Sequence, residues 1–296
     1  MKLTFVTVAS LVCTVISQST TFSSSGLFVD VLGQSGKVRI GRNQIPSQDP
    51  EHITIEIDSL RELNANNDAI GNTGPPSQKH SIQTFAPLDF TFSSLYDTEV
   101  AGVESVALDF KTTMLDNTAE LIVTIYLFKD SGNLTVNGTE TFSLNPGASK
   151  FNVNITGWTF CENGGSGLAS CNGQTGEKIE MDIKIKGSDD TVEKVTGSDS
   201  KFTLGGGKTI DMSALVDRDG DWRPMEAGYP KLHTVGNSQV FTIRLPKFSS
   251  SVLYDPVIDG FSSSPTEETS DLTLILSLSI GGFILSLILI YFLIKK

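Results

Sequence analysis

Apolar and polar residues alternate along the middle of the chain in short stretches bounded by turn residues. This is the two-residue period of strands that turn one face to a core and the other to water. Ile53, Ile55 and Ile57 alternate with Thr54 and Glu56; Leu88, Phe90 and Phe92 with Asp89 and Thr91; Val106, Leu108 and Phe110 with Ala107 and Asp109. In 178–186, Ile179, Met181, Ile183 and Ile185 share one side and five charged residues the other, a segregation that a helix would smear around its circumference. Phe151, Val153 and Ile155 alternate with Asn152, Asn154 and Thr156, and Phe241, Ile243 and Leu245 close the series. Residues 121–128 (LIVTIYLF) are nearly all apolar, as in a central strand covered on both faces. Turn residues punctuate these segments at Asp130-Ser131-Gly132-Asn133, Asn137-Gly138 and Asn145-Pro146-Gly147. About ten such segments, with almost no helical period, predict an all-β fold, an antiparallel β-sandwich. Residues 82–187 are the most regular part, while 61–80 and 187–200 read as exposed connections.

The two ends break this pattern. Residues 1–18 join a basic start at Lys2 to an apolar run and small polar residues, so they read as a secretory signal peptide removed near Gln18 or Thr20. That run rises only about 21 Å, short of a hydrocarbon core of about 30 Å. Residues 272–294 are free of charge and reach about 34 Å as a helix, enough for one transmembrane span. Asp271 precedes the span, and Lys295 and Lys296 follow it as the cytoplasmic tail, which predicts a single-pass type I protein at the cell membrane with its N-terminal region outside. Ser277 with Gly281, and Gly282 with Ser286, offer small residues four apart for a transmembrane-helix dimer. Ser262, Ser263 and Ser264 leave a glycolipid anchor as the alternative, and a shed or secreted form stays open. Between the ends, 19–248 is expected to be the extracellular β-sandwich region. Residues 249–271, ending in SSSPTEETSD, are expected to be a stalk.

Charge narrows the partners. The chain carries a formal charge of -12; without Lys2, Lys295 and Lys296, the 22 bases fall to 19 against 34 acids, so residues 19–271 carry -15. Phosphate binding needs clustered positive charge, so nucleic acid is excluded as a partner. An acid excess instead suits solubility, calcium ions and mineral surfaces. Cys13 leaves with the signal peptide, and Cys161 and Cys171, joined by the Gly-rich loop ENGGSGLAS, are expected to form one disulfide. Closing so short a loop contributes about 3 kcal/mol. A zinc site is not expected, since no second CxxC and no nearby His supplies further ligands. Asn133, Asn137 and Asn154 head three N-glycosylation sequons that suit the same compartment.

Catalytic signals are weak, and no enzyme is expected. His52, His80 and His233 form no HExxH motif, and Ser166 in GGSGL lacks the second Gly of a nucleophile elbow. Asp217, Asp219 and Asp221 in DRDGDW, with Glu226 nearby, are candidate calcium ligands, because oxygen donors at alternate positions around a Gly can wrap a hard cation. The competing reading is a solvated acidic turn partly neutralised by Arg218 and Arg223. No other cofactor is implied. Trp158 and Trp222 are open to sugar stacking, although Trp158, three residues before Cys161, suits a core position against the disulfide.

The whole plan resembles the secreted and membrane-anchored skeletal organic matrix proteins of stony corals. The resemblance is strongest over 87–187, including YLFKDSGNLTVNGTE and GWTFC. It implies a part in calcified matrix assembly. The expectation is therefore an acidic cell-surface glycoprotein acting as a non-enzymatic extracellular matrix or adhesion component, facing matrix, glycan or mineral. A calcium-dependent carbohydrate-binding module and a glycan-acting ectoenzyme are the alternatives.

Overall fold

A computed structural model describes residues 19–259 apart from 25–26, 33–35, 43, 51, 72–73, 76–77, 86–87, 137–139, 163–170, 172, 188–191 and 236–237. The expected signal peptide, span and tail lie outside these residues, and among the described residues no helix is long and apolar enough to cross a membrane. Regular structure among the described residues is strand, and the strand pairings are antiparallel.

Two large sheets carry the fold. The first runs Ser19–Ser24, Leu27–Leu32, Lys37–Arg42, Ile53–Leu63, Lys178–Lys186, Ser238–Pro246 and Lys231–Val235, and Ala69–Ile70 and Ser81–Ile82 also pair with Ile53–Leu63. In the second, Ala119–Phe128 lies between Val103–Met114 and Ser149–Thr156, and Val257–Asp259, Lys208–Asp211 and Lys201–Gly205 extend it beyond the latter. Inward residues of both sheets belong to one continuous core: Ile55, Ile183 and Ile243 from the first, Val123, Ile125 and Val153 from the second. The alternation in Lys178–Lys186 is realised, with Ile179, Met181, Ile183 and Ile185 at most 1% exposed. A fully buried Leu, Ile or Val contributes about 1.5–3 kcal/mol, so this shared layer is what holds two otherwise separate sheets together.

One local irregularity decides which charges enter that core. A register shift opposite Asp182/Ile183 pairs Ile183 with Ile57 but Asp182 with Ser59, so Asp58 is the extra residue of a β-bulge. Before the bulge Ile53, Ile55 and Ile57 face inward; after it the inward set is Leu60 and Glu62. Strict alternation would have turned Arg61 into the core. Instead Arg61 faces out to Asp182 and Glu180, at 2.6 and 3.0 Å, and Glu62 is driven inward to 0% exposure.

Three expectations need correction. Residues 61–80 are not wholly an exposed connection: Leu63, Ile70 and His80 are at most 2% exposed. Nor are 187–200, where Val192 is buried and Glu193–Lys194 pairs with Lys201–Gly205. The polar composition predicted a stalk from 249, yet Ser251–Tyr254 and Val257–Asp259 are strands paired with Ser149–Thr156, and Val252, Tyr254 and Ile258 are fully buried. The physical reason is a short alternating apolar pattern hidden in a Ser-rich window. The rest of that stretch, 260–271, lies outside the described residues. Residues 121–128 form a central strand as expected, but Ile122, Thr124 and Tyr126 are only half-buried on the outer face. Full cover on that side comes only at Phe128, under the hairpin Gly132–Val136 and Glu140–Leu144, through Leu134 and Leu144.

Candidate functional site

Cys161 and Cys171 form the expected disulfide. Its surroundings were not foreseen. Glu62, turned inward by the bulge, accepts hydrogen bonds from Trp158 Nε1 at 2.8 Å and from the Cys161 backbone N–H at 2.7 Å. His80 Nδ1 lies 2.6 Å from the same carboxylate and donates to it, so that Nε2 points to Cys171 Sγ, 3.9 Å away. The His80 and Trp158 rings meet edge to face at 5.6 Å. Main-chain bonds lock the pair: the Glu62 N–H donates to the His80 carbonyl, and the His80 N–H to the Gly71 carbonyl. A Cβ at Gly71 would come within 2.4 Å of His80 Cβ, and one at Gly176 within 1.7 Å of Glu62 Oε1, so the corner requires both glycines. Trp158, 3% exposed, is a core residue against the disulfide and is not available to stack on a sugar. Sequence spacing hid this cluster because Glu62, His80 and the cysteines come from separate segments.

The outer face of the first sheet is a lattice of opposed charges. Arg244 bonds Glu180 at 2.9 Å and Glu226 at 2.7 Å, and stacks over Tyr229 at 4.4 Å. Lys178 also reaches Glu226, at 2.7 Å. Arg61 joins Glu180 to Asp182, whose other oxygen accepts from Thr242. Lys37 pairs with Glu56, and Lys184 with Asp58. Bonding to Lys178 and Arg244 holds the Glu226 carboxyl below its ordinary range. Glu226 thus belongs to this lattice, away from the aspartates beside which it stands in sequence.

Those aspartates shape a hairpin. Leu215–Arg218 pairs with Asp221–Pro224 across a two-residue Asp219-Gly220 turn whose φ values are 55° and 87°, as a type I′ connection requires. The Asp217 carboxylate accepts from the Gly220 N–H at 2.7 Å, and Asp221 pairs with Arg223 at 2.6 Å. Asp219 reaches the neighbouring strand Ser251–Tyr254 and the residues just before it instead. Its oxygens accept from the backbone N–H groups of Ser249, Ser250 and Ser251 at 2.9, 2.7 and 3.0 Å, and from the Ser250 hydroxyl. Each carboxylate serves a different partner, which is the geometry of a turn and a clamp. The three amides hold the Asp219 carboxyl well below its ordinary 3.8.

A pH dependence follows from that depression. A carboxyl that loses its proton more readily when folded stabilises the fold fully above the unfolded value, and loses that contribution as pH falls through 3.8 towards the folded value. Asp219→Asn is therefore expected to be less stable than the parent at neutral pH, with the gap narrowing below pH 3.8. Urea unfolding across the acid range measures it; a gap independent of pH would contradict the clamp.

Of the three sequons, one lies on the separate hairpin sheet and one on the outer face of the second sheet. Asn133 is exposed on the hairpin, where its Oδ1 accepts from Ser143 at 3.2 Å. Asn154 is half-buried between Ile122 and Leu253 of the neighbouring strands. Asn137 lies outside the described residues. On the same face Asp109 accepts from Thr124 at 2.6 Å and from the Tyr96 hydroxyl at 3.0 Å. Burial first, and then that bond, push the Tyr96 phenol up to about 12.

Acid without a cationic partner stands within this sheet as well. Glu99 and Glu104 stand directly opposite one another where Tyr96–Val100 pairs with Val103–Met114, and both are exposed. Asp97, two residues before Glu99, is paired with Lys129 at 2.6 Å, and Asp130 follows Lys129 in the chain. Among the described residues Asp89, Glu99, Glu104, Asp130, Glu162 and Glu193 are exposed and have no ion-pair partner. Like charges opposed across a ladder cost stability, so the Glu99/Glu104 pair brings the fold no gain of its own. A family model described as acidic skeletal organic matrix protein matches the chain over residues 14–202 and 196–292.

Proposed function

The chain belongs to the acidic skeletal organic matrix protein family, and from that premise we propose that it is a non-enzymatic, extracellular component of a calcified matrix. In this reading the two-sheet body is displayed at the cell surface on the C-terminal span, with glycans at Asn133, Asn137 and Asn154, and meets calcium-bearing mineral through exposed carboxylates. The carrying observation is the disposition of charge. Cations are drawn into ion pairs, chiefly on the outer face of the first sheet, whereas Glu99 and Glu104 remain exposed and mutually opposed. Surface acid left without internal partners keeps a negative field available to divalent cations.

The reading is tested by adsorption of the full chain, in detergent, to calcium carbonate crystals and to an uncharged polymer. Strong preference for the mineral, weakened by added salt, is expected. The variant Glu99→Gln, Glu104→Gln should bind about twofold less while its stability rises by about 0.2–1 kcal/mol, since a repulsive pair is removed. Equal adsorption to both surfaces would remove the proposal.

A further inference from the structure

We infer that in its dithiol state the disulfide corner is a three-ligand site for a zinc-type divalent cation, made by His80 Nε2, Cys161 Sγ and Cys171 Sγ. This inference does not depend on the matrix reading. The three ligand atoms lie within 4.8 Å of one another, on residues that are 0%, 2% and 9% exposed. Tetrahedral zinc, with bonds of about 2.1 Å to nitrogen and 2.3 Å to sulfur, needs an N···S edge of about 3.6 Å and an S···S edge of about 3.8 Å. His80 already stands 3.9 Å from Cys171 Sγ. Only the sulfurs must move once the bond between them is broken, which side-chain rotation supplies.

The ring is held for that task from behind. Glu62 Oε2 lies 2.6 Å from Nδ1 and holds the ring with Nε2 turned towards the sulfurs. A carboxylate behind a ligating histidine fixes its tautomer and raises its basicity. The Trp158 and Cys161 bonds to Glu62, with the main-chain bonds joining Glu62, His80 and Gly71, hold this group in place without help from the disulfide itself.

The chemistry balances with a small dithiol as reductant. Its two sulfurs become joined, and the two electrons and two protons it gives up break the Cys161–Cys171 bond and leave a thiol on each cysteine. Loading one divalent cation then releases both thiol protons to solvent, and His80 binds through the Nε2 lone pair, giving up to solvent any proton carried there. The fourth position is left to water.

The test uses the full chain in detergent, reduced with dithiothreitol, desalted without oxygen and titrated with cobalt(II). One cobalt per chain, with a thiolate-to-cobalt charge-transfer band that zinc(II) abolishes and that oxidised protein lacks, is expected. His80→Ala should weaken binding at least about tenfold, and Glu62→Gln about tenfold. X-ray absorption of the zinc-loaded parent gives a readout independent of how the variants fold, and should show two sulfurs and one histidine nitrogen. A reduced chain that takes up no stoichiometric cobalt, whether or not its β-sheet circular dichroism survives reduction, overturns the inference. So does a coordination sphere without the histidine nitrogen.

Discussion

Glu62→Ala is expected to lower the stability of the protein by about 3–5 kcal/mol, the cost of leaving several buried hydrogen-bond donors unsatisfied together. The substitution leaves three donors without an acceptor at once: His80 Nδ1, Trp158 Nε1 and the Cys161 N–H. Each buried orphan costs about 1–3 kcal/mol, and relaxation of the corner keeps the total below their sum. Glu62→Gln keeps one acceptor oxygen and a similar volume, so its loss should be smaller. Urea unfolding of the full chain in detergent, followed by tryptophan fluorescence, compares the variants at intact disulfide. A loss under about 1 kcal/mol for the alanine variant would show that the corner reorganises freely and that Glu62 does not organise it.

Much of the sheet structure was legible because a strand's period leaves its mark residue by residue. Ile179, Met181, Ile183 and Ile185 needed only their spacing to be placed in the core. The bulge at Asp58 could not be read in this way. It arises from pairing with Lys178–Lys186, more than a hundred residues away, and it alone exchanges the directions of Arg61 and Glu62. His80 sits in a stretch whose Asn, Gly and Pro content reads as a loop, and its burial follows from main-chain bonds to Glu62 and Gly71. Composition misled in the same manner at 249–259, where Val252 and Tyr254 keep strand alternation among serines. For Asp217, Asp219 and Asp221, spacing suggested convergence on one cation, whereas the fold offers Asp219 three amides some thirty residues further along. Family kinship was legible from the overall plan and the 87–187 stretch, and the family model extends the match to nearly the whole chain.

Asp255→Ala is likewise expected to cost about 3–5 kcal/mol, because it strands a buried ammonium. Lys150 Nζ and Asp255 Oδ2 are 2.7 Å apart with side chains 7% and 4% exposed. They meet where Ser149–Thr156 passes from pairing with Ser251–Tyr254 to pairing with Val257–Asp259. Pro256 lies in that gap and has no N–H to give the ladder, while its carbonyl accepts from the Phe151 N–H at 3.2 Å. The ion pair bridges the break and ties the last two described strands to the body. If its role is to avoid an uncompensated charge rather than to add net attraction, the double variant Lys150→Met, Asp255→Leu should recover most of the loss, since apolar groups of similar volume replace a buried pair at little cost. The two single variants and the double form a cycle whose coupling term isolates the pair. A double variant as unstable as Asp255→Ala alone would instead assign Lys150 and Asp255 a joint role in holding the strand break that packing cannot replace.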